Sequence, residues 1–122
     1  MNSMITVTGR RKMAQARAGV TTLPKIVGIA LGNGGVDTEG NVLAPGETLN
    51  NELLRREADS ITPVSETSYR FSLCLSKDEL AGEAISEMAL YDEDGDIVAV
   101  KNFSVKGKDA DMEMIFEIDD TF

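Results

Sequence analysis

The sequence predicts an α+β fold: a mostly antiparallel β-sheet of about five strands, an N-terminal helix and a second short helix. Three observations lead to this prediction. A capped helical pattern lies near the N-terminus, alternating apolar and polar residues recur in the second half of the chain, and Gly-rich turns separate the elements. A chain of 122 residues has the length of a single domain, which we place at residues 1–122 and expect to bury roughly two thirds of its unfolded surface.

The first predicted helix begins at a threonine and ends before a glycine. Thr6 or Thr8 can cap its N-terminus, and the helix is expected to run to about Ala18, with Gly19 as the stop signal. Its apolar contacts come mostly from small side chains, namely Met13, Ala14, Ala16 and Ala18. We therefore expect this helix to pack closely but weakly.

The next two elements are a buried strand and a second helix. Residues 23–31 are mostly apolar, and Gly28 permits close backbone approach, so we expect a central strand. Residues 32–46 are rich in Gly, Asn and Asp and predict a long loop. The second helix is predicted at residues 47–57, where Thr48 can cap and three leucines follow a helical spacing, Leu49, Leu53 and Leu54.

Three more strands follow from shorter patterns. A brief strand is predicted at residues 61–64, where a proline interrupts it. Clean alternation predicts a strand at residues 69–75, which places Cys74 on its polar face. The last alternating run covers residues 112–118, and Ile115 on its outer side suggests that this side is partly covered.

Residues 84–103 predict a β-hairpin with an acidic turn. We favour a three-residue loop, residues 93–95, with Gly95 in the left-handed conformation. That loop pairs Leu90 with Val98, Met88 with Val100 and Ala89 with Ala99. A two-residue Asp-Gly loop would instead set Met88 opposite Lys101 and Leu90 opposite Ala99, which is a poorer match.

Charge is distributed unevenly along the chain. The net charge of −9 argues against nucleic-acid binding, which needs basic surface to displace counterions. The first 25 residues carry five bases and no acid, leaving seven bases against 21 acids in the remainder. The five bases are Arg10, Arg11, Lys12, Arg17 and Lys25. We interpret them as a solvated helix face near the chain's own acidic strands, with contact to an acidic neighbouring subunit as the alternative.

Several classes of function lack their usual residues in this sequence. There is no His, which removes His-based triads and the common zinc sites, and Cys74 is a lone cysteine. The N-terminus lacks the apolar core of a signal peptide, and the longest apolar segment, residues 26–31, is far below the roughly 20 residues that cross a bilayer. We expect no export by a signal peptide, no membrane partner, no enzyme activity, and no catalytic, cofactor-binding or metal-binding residue.

Four weaker hypotheses concern ligands. The turn at residues 92–96 resembles a calcium loop, but Ile97 and Phe103 occupy the positions that require Gly and Glu, so we expect a solvated turn. A small enzyme would need Asp92, Asp94 and Asp96 around a metal, and a carbohydrate- or peptide-binding module would rely on Tyr69, Phe71 and Tyr91. The glycines at 32–35 lack the Lys-Ser or Lys-Thr of a phosphate loop.

Five short segments, taken in order, carry a family resemblance. They are Ile5-Thr6-x-x-Gly9-Arg10, Ala14-x-Ala16-x-Ala18-Gly19, Ile29-Ala30-Leu31-Gly32-x-Gly34, Leu49-x-x-Glu52 and the hairpin from Glu87 to Val100. Together they resemble the N-terminal domain of phage tail-collar or tail-fibre proteins, including prophage-borne versions. The resemblance implies a structural component of the virion tail that docks fibres to the tail or baseplate. It also implies other tail subunits and further copies as partners, and neither catalysis nor a cofactor.

Overall fold

Residues 3–122 are described by this computed structural model, and they form two antiparallel β-sheets and one α-helix. The elements are β1 (Ser3–Ile5), α1 (Val7–Arg17), β2 (Ile26–Gly32), β3 (Glu52–Glu57), β4 (Ser60–Ser65), β5 (Ser68–Leu75), β6 (Ala84–Asp92), β7 (Ile97–Gly107) and β8 (Met114–Thr121). One sheet has the strand order β1-β7-β6-β2-β3 and the other has the order β4-β5-β8.

The capped N-terminal helix is confirmed. The backbone N–H of Gly9 donates to Thr6 Oγ1 over 3.0 Å, which makes Thr6 the N-cap, and α1 ends at Arg17. Gly19 follows with a φ of +77°, the left-handed conformation that closes many helices.

The predicted second helix at residues 47–57 is wrong, because Glu52–Glu57 form strand β3 against β2. The spacing of Leu49, Leu53 and Leu54 fits a helix and a strand equally well, and pairing with β2 decides for the strand. Leu54 lies opposite Leu31, and β3 supplies the hydrogen bonds that β2 needs on the side away from β6. Leu49 is buried in the connection that precedes β3. The expected count of about five strands falls short of the eight observed in residues 3–122, because β1 and β3 carry no clear alternation of apolar and polar residues.

The three-residue loop of the hairpin is confirmed, but the predicted register is wrong. Gly95 has a φ of +85°, and Asp92 N–H donates to Asp96 O across the loop. Beyond it, Leu90 pairs with Ala99, Ala89 with Val100 and Met88 with Lys101, since the register shifts by one residue between Tyr91 and Leu90. The extra residue is Val98.

The bulge at Val98 makes a tertiary contact with the start of α1. Its carbonyl accepts a hydrogen bond of 3.0 Å from the backbone N–H of Thr6, at the start of α1. The hairpin therefore has the predicted three-residue loop, but its strands pair as the two-residue Asp-Gly loop would have paired them. The bulge at Val98 makes up the difference of one residue, and it directs the Val98 carbonyl to the helix.

The main core lies between the two sheets. It consists of Ile29, Leu31, Phe71, Leu73, Leu75, Ile85, Met88, Leu90, Ala99, Phe116 and Ile118. A second cluster on the opposite face of the larger sheet comprises Ala30, Leu49, Ala89, Ile97 and Val100. The interior strand predicted at residues 23–31 is confirmed as β2, although it begins only at Ile26.

Three shorter predictions have mixed outcomes. The strand at residues 69–75 is confirmed, with Phe71, Leu73 and Leu75 buried and Cys74 on the opposite side. Strand β4 continues through Pro63 to Ser65 at the sheet edge, so the proline does not end it. Ile115 is 64% exposed, and the expectation of a covered outer face at β8 is therefore wrong.

Candidate functional site

Lys12 lies at the centre of an acidic group that we call the Lys12 cluster: Lys12, Asp92, Asp94 and Asp96. Its Nζ lies 2.6 Å from Asp92 Oδ2, 2.7 Å from Asp96 Oδ2 and 3.2 Å from Asp94 Oδ2. Lys12 is only 8% exposed and Asp92 only 1%. Helix α1 and the β6–β7 turn are thus joined by a largely buried ion pair.

Asp92 organises the turn as well as binding the lysine. Its Oδ1 accepts the backbone N–H groups of Asp94 at 3.0 Å and Asp96 at 3.1 Å, while Oδ2 faces Lys12. The predicted solvated turn is therefore wrong for Asp92 and right for Asp94 and Asp96, whose side chains are 57% and 51% exposed.

The Lys12 cluster stabilises the charged forms of Lys12 and Asp96. Burial would lower the pKa of Lys12, but the hydrogen bonds that its ammonium donates to Asp92, Asp96 and Asp94 outweigh burial and raise it. The hydrogen bond from Lys12 in turn lowers the pKa of Asp96. Oxygen atoms of the three carboxylates lie within 4.8 Å of one another, a spacing that suits a metal ion, and the Lys12 ammonium occupies that position.

Sequence reasoning counted Lys12 among the solvated bases and did not detect its burial. The one sequence feature that could have indicated it is Gly9, a glycine inside the helix one turn earlier. A Cβ at this position would lie 2.6 Å from the carbonyl oxygen of Val98, so the helix needs glycine where it meets β7. Because the helix backbone touches β7, the lysine on the same face reaches the turn. The interpretation that the basic helix lies near the chain's own acids holds for Lys12, while Arg10, Arg11 and Arg17 are exposed.

A second buried carboxylate holds the long β2–β3 connection, and we call this arrangement the Glu87 cradle: Glu87, Gly34, Asn50 and Asn51. Glu87 is 1% exposed. Its Oε2 accepts the backbone N–H groups of Gly34 and Asn51 at 2.9 Å each, and its Oε1 accepts that of Asn50 at 2.8 Å. The two ends of the connection are thereby fastened to the middle of the larger sheet.

The glycines at 32–35 are required by this close approach. A Cβ at Gly35 would clash with the carbonyl oxygen of Ser86, and a Cβ at Gly32 would clash with that of Asn51. The amide of Gly34 serves the chain's own carboxylate. The Gly-rich segment is thus an internal anion cradle, with Glu87 in the place where a phosphate loop would hold its ligand.

One exposed apolar surface, which we call the apolar overhang, consists of Leu23, Ile61, Tyr69 and Phe122. These side chains are 49%, 48%, 48% and 63% exposed. The inner face of the smaller sheet extends here beyond the larger sheet, and a cleft of about 570 Å³ lies between it and the segment before β2. Asp120 also lines the cleft, and its partial burial raises the pKa of its carboxyl group.

A family model described as phage tail-collar fibre protein, N-terminal, matches residues 1–116 of the 122. The chain belongs to this family. Comparison with curated proteins gave no match, and comparison with solved structures gave none either.

Three of the segments behind the resemblance have clear positions in this tail-collar fibre domain. Thr6 and Gly9 cap and seat α1, and Gly32, Gly34 and Glu87 hold the β2–β3 connection. These residues of the tail-collar fibre domain therefore build the scaffold. Within residues 3–122, no helix is long and apolar enough to cross a membrane.

The three aromatic residues considered for carbohydrate binding do not form one exposed platform in the tail-collar fibre domain. Tyr69 and Phe71 both line the cleft at the apolar overhang, but Phe71 is only 6% exposed and belongs to the core. Tyr91 packs on the other face of the larger sheet, where the guanidinium carbon of Arg55 lies 4.9 Å from its ring centroid. No shared aromatic platform results from these three rings.

Proposed function

We propose that the chain is a structural component of a phage or prophage tail: a fibre-attachment, collar or baseplate-associated subunit that acts through protein–protein assembly. Residues 1–122 form its attachment domain, its partners are other tail subunits and further copies of itself, and it resides in the virion tail. The family match over residues 1–116 carries this proposal.

The buried charged groups bind other parts of the same chain, which supports a scaffold role. The Lys12 cluster and the Glu87 cradle satisfy their groups within the chain. They fix α1 and the β2–β3 connection to the larger sheet, which gives a rigid body for docking. The apolar overhang then provides an exposed surface of the kind that marks contacts with other proteins.

The two alternatives are less well supported. A metal-dependent enzyme would need the position that Lys12 Nζ occupies among Asp92, Asp94 and Asp96. A carbohydrate-binding module generally presents neighbouring exposed rings. Of the rings considered for it, Tyr69 and Tyr91 lie on different faces of the molecule.

Imaging of particles with and without the chain tests the proposal. Gold-labelled antibody against the chain should mark one end of the tail in particles from the strain that encodes it. Deletion of the gene should give tails that lack fibres, and the intact gene should restore them. Particles that carry a full set of fibres and contain none of this chain would overturn the proposal, and glycan binding by a chain absent from particles would favour the carbohydrate alternative.

A further inference from the structure

The core-facing row of strand β8 ends in a charged residue. Met114, Phe116 and Ile118 alternate along the strand and pack in or against the main core. Asp120 is next in the same row, since every second side chain of a strand points to the same face. It is half-buried and lines the cleft at the apolar overhang. An acid therefore occupies a position where the pattern of the strand calls for an apolar side chain.

The carboxylate of Asp120 lacks the partners that the other buried carboxylates have. Asp92 binds Lys12 and two backbone N–H groups, and Glu87 binds three backbone N–H groups. Within residues 3–122, the carboxyl group of Asp120 accepts no hydrogen bond and forms no ion pair, and burial alone acts on its pKa and raises it. A carboxylate held in such a place without a donor destabilises the free chain. A partner that supplied donors would gain from binding there.

Aromatic rings flank this carboxylate. Tyr69 of β5 lies directly opposite Asp120 of β8, so the two side chains share one face of the smaller sheet. Phe122 follows two residues after Asp120 and lines the same cleft. Both rings are exposed. The surroundings of Asp120 thus combine a negative charge with two open ring surfaces.

The other charges near Asp120 leave room for a cation. Lys25 and Glu66 also line the cleft, and their opposite charges offset one another. Asp120 also lines a smaller cavity of about 230 Å³ beneath α1, together with Lys12 and Asp92. The single ammonium of the Lys12 cluster faces three carboxylates, so the cluster as a whole is negative. A cation at Asp120 would therefore meet negative groups in the cavity as well as in the cleft.

We propose that the cleft at Asp120 binds an arginine side chain of a different tail subunit. The guanidinium donates to the Asp120 carboxylate and lies against the rings of Tyr69 and Phe122. Apolar residues next to the arginine cover Leu23 and Ile61 of the apolar overhang. Arginine fits this site better than lysine because its planar, weakly hydrated head pairs with a carboxylate and also stacks on aromatic rings.

The net charge of the chain favours a basic partner over a second copy. Two copies with a charge of −9 each repel one another, whereas a segment that carries arginine is attracted at long range. The apolar overhang supplies the area that is removed from water on docking, and Asp120 selects the partner by charge. The two features of the cleft thus have separate roles in one contact.

This inference rests on the proposed function, since it names the chemistry of one partner of the tail subunit. Its test uses the isolated full chain and synthetic peptides, whereas the proposed function is tested in particles. A chain that is present in tails but does not bind arginine peptides would fail the inference alone. A chain that binds them at Asp120 but is absent from particles would fail the proposed function alone.

Titration of the isotope-labelled chain with synthetic peptides, followed by NMR, measures the binding. The probes are acetylated, amidated pentapeptides with glycine at both ends and arginine, citrulline or lysine between two leucines. The arginine peptide should shift the amide signals of Leu23, Asp120 and Phe122. It should bind at least about tenfold more tightly than the citrulline peptide, which has nearly the same shape and no charge. Added salt should weaken binding of the arginine peptide and not of the citrulline peptide.

Asp120→Asn should abolish the preference for arginine over citrulline. Asp111→Asn is the matched control, because it makes the same change in charge at an exposed position before β8 begins, and it should keep the preference. Equal binding of the arginine and citrulline peptides to the wild type, or a preference that survives Asp120→Asn, would overturn the proposal. A lysine peptide that binds as tightly as the arginine peptide would overturn the choice of arginine.

The stability of the same variant separates a binding carboxylate from a structural one. Because the Asp120 carboxylate has no partner within residues 3–122, Asp120→Asn should keep the urea midpoint of the free chain or raise it. Asp120→Leu continues the apolar row of β8 and should raise the midpoint further while it also abolishes the preference for arginine. A midpoint that falls in Asp120→Asn would show that the chain itself uses this carboxylate, and it would refute the proposed role.

Discussion

Removal of the buried ammonium by Lys12→Met should destabilise the protein strongly. The methionine side chain keeps most of the length of lysine but leaves Asp92, which is 1% exposed, without its counter-charge. Breaking a buried ion pair in this way costs about 3 to 5 kcal/mol. Asp94 and Asp96 are half exposed, so their part in this cost is small. For a chain of this size, the loss corresponds to a fall in melting temperature of about 12 to 20 °C.

Urea unfolding followed by far-ultraviolet circular dichroism measures this difference, with Arg17→Met as the control. Arg17 lies on the same helix and is exposed, so its replacement should change the unfolding free energy by less than about 0.5 kcal/mol. Equal stability of Lys12→Met and the wild type would refute the argument that Lys12 neutralises the cluster.

The pH dependence of the same variant gives an independent check. The pKa of Asp96 is lowered in the folded protein by Lys12, so its contribution to stability is present above its unfolded value of about 3.9 and is lost as pH falls through the lower folded value. The variant lacks the part of this contribution that comes from Lys12, while Arg11 and Arg55 still lower the pKa of Asp96. The difference between wild type and Lys12→Met should therefore narrow below about pH 4, and a difference that widens there would contradict the assignment.

The effect of Ca²⁺ on the melting temperature of Lys12→Met gives a third test of the Lys12 cluster. Once the ammonium is gone, the three carboxylates are free to bind a divalent cation, so Ca²⁺ should raise the melting temperature of Lys12→Met. The wild type should not respond, because Lys12 occupies the position. A rise in the wild type as large as that in the variant would show that the lysine does not fill the site.

Three further substitutions test the scaffold. Glu87→Gln turns an amide N–H₂ toward backbone N–H donors, so it should lower the unfolding free energy by about 2 to 3 kcal/mol and make the β2–β3 connection sensitive to protease. Glu39→Gln, in the same connection, should have neither effect. Gly35→Ala should lower the urea midpoint by the equivalent of about 1 to 3 kcal/mol because its Cβ meets Ser86 O, while Gly46→Ala, whose nearest neighbour would be 3.8 Å away, should be neutral. Thr6→Val should lose about 1 to 2 kcal/mol with the helix cap, and Thr6→Ser should recover most of it in the same assay.

Local patterns predicted the elements whose signals are contained in their own residues. The cap at Thr6, the alternation of β5 and the left-handed Gly95 each depend on neighbours within a few positions, and each is confirmed. The leucines at 49, 53 and 54 fit a helix as well as a strand. The strand forms because β2 needs a hydrogen-bonding partner on the side away from β6, and the local sequence does not encode that need.

The candidate site was less predictable because its contacts join distant positions. Lys12 and Asp92 are 80 residues apart, and Glu87 lies 36 residues after Asn51. The sequence showed a basic segment and an acidic turn, but not that one lysine would be buried between three carboxylates. The glycines at 32–35 predicted only a loop, and the fold showed that the backbone of this loop lies against Ser86 and Glu87.

By itself, the sequence determined the family, the N-terminal helix and the three-residue turn, because each is carried by short segments whose residue types act locally. Only the tertiary structure decided the hairpin register, the identity of β3 and the burial of Lys12. The hydrogen bond from Thr6 to Val98 illustrates the reason: it joins the start of the helix to the bulge more than 90 residues downstream, and its energy exists only once helix and sheet have met.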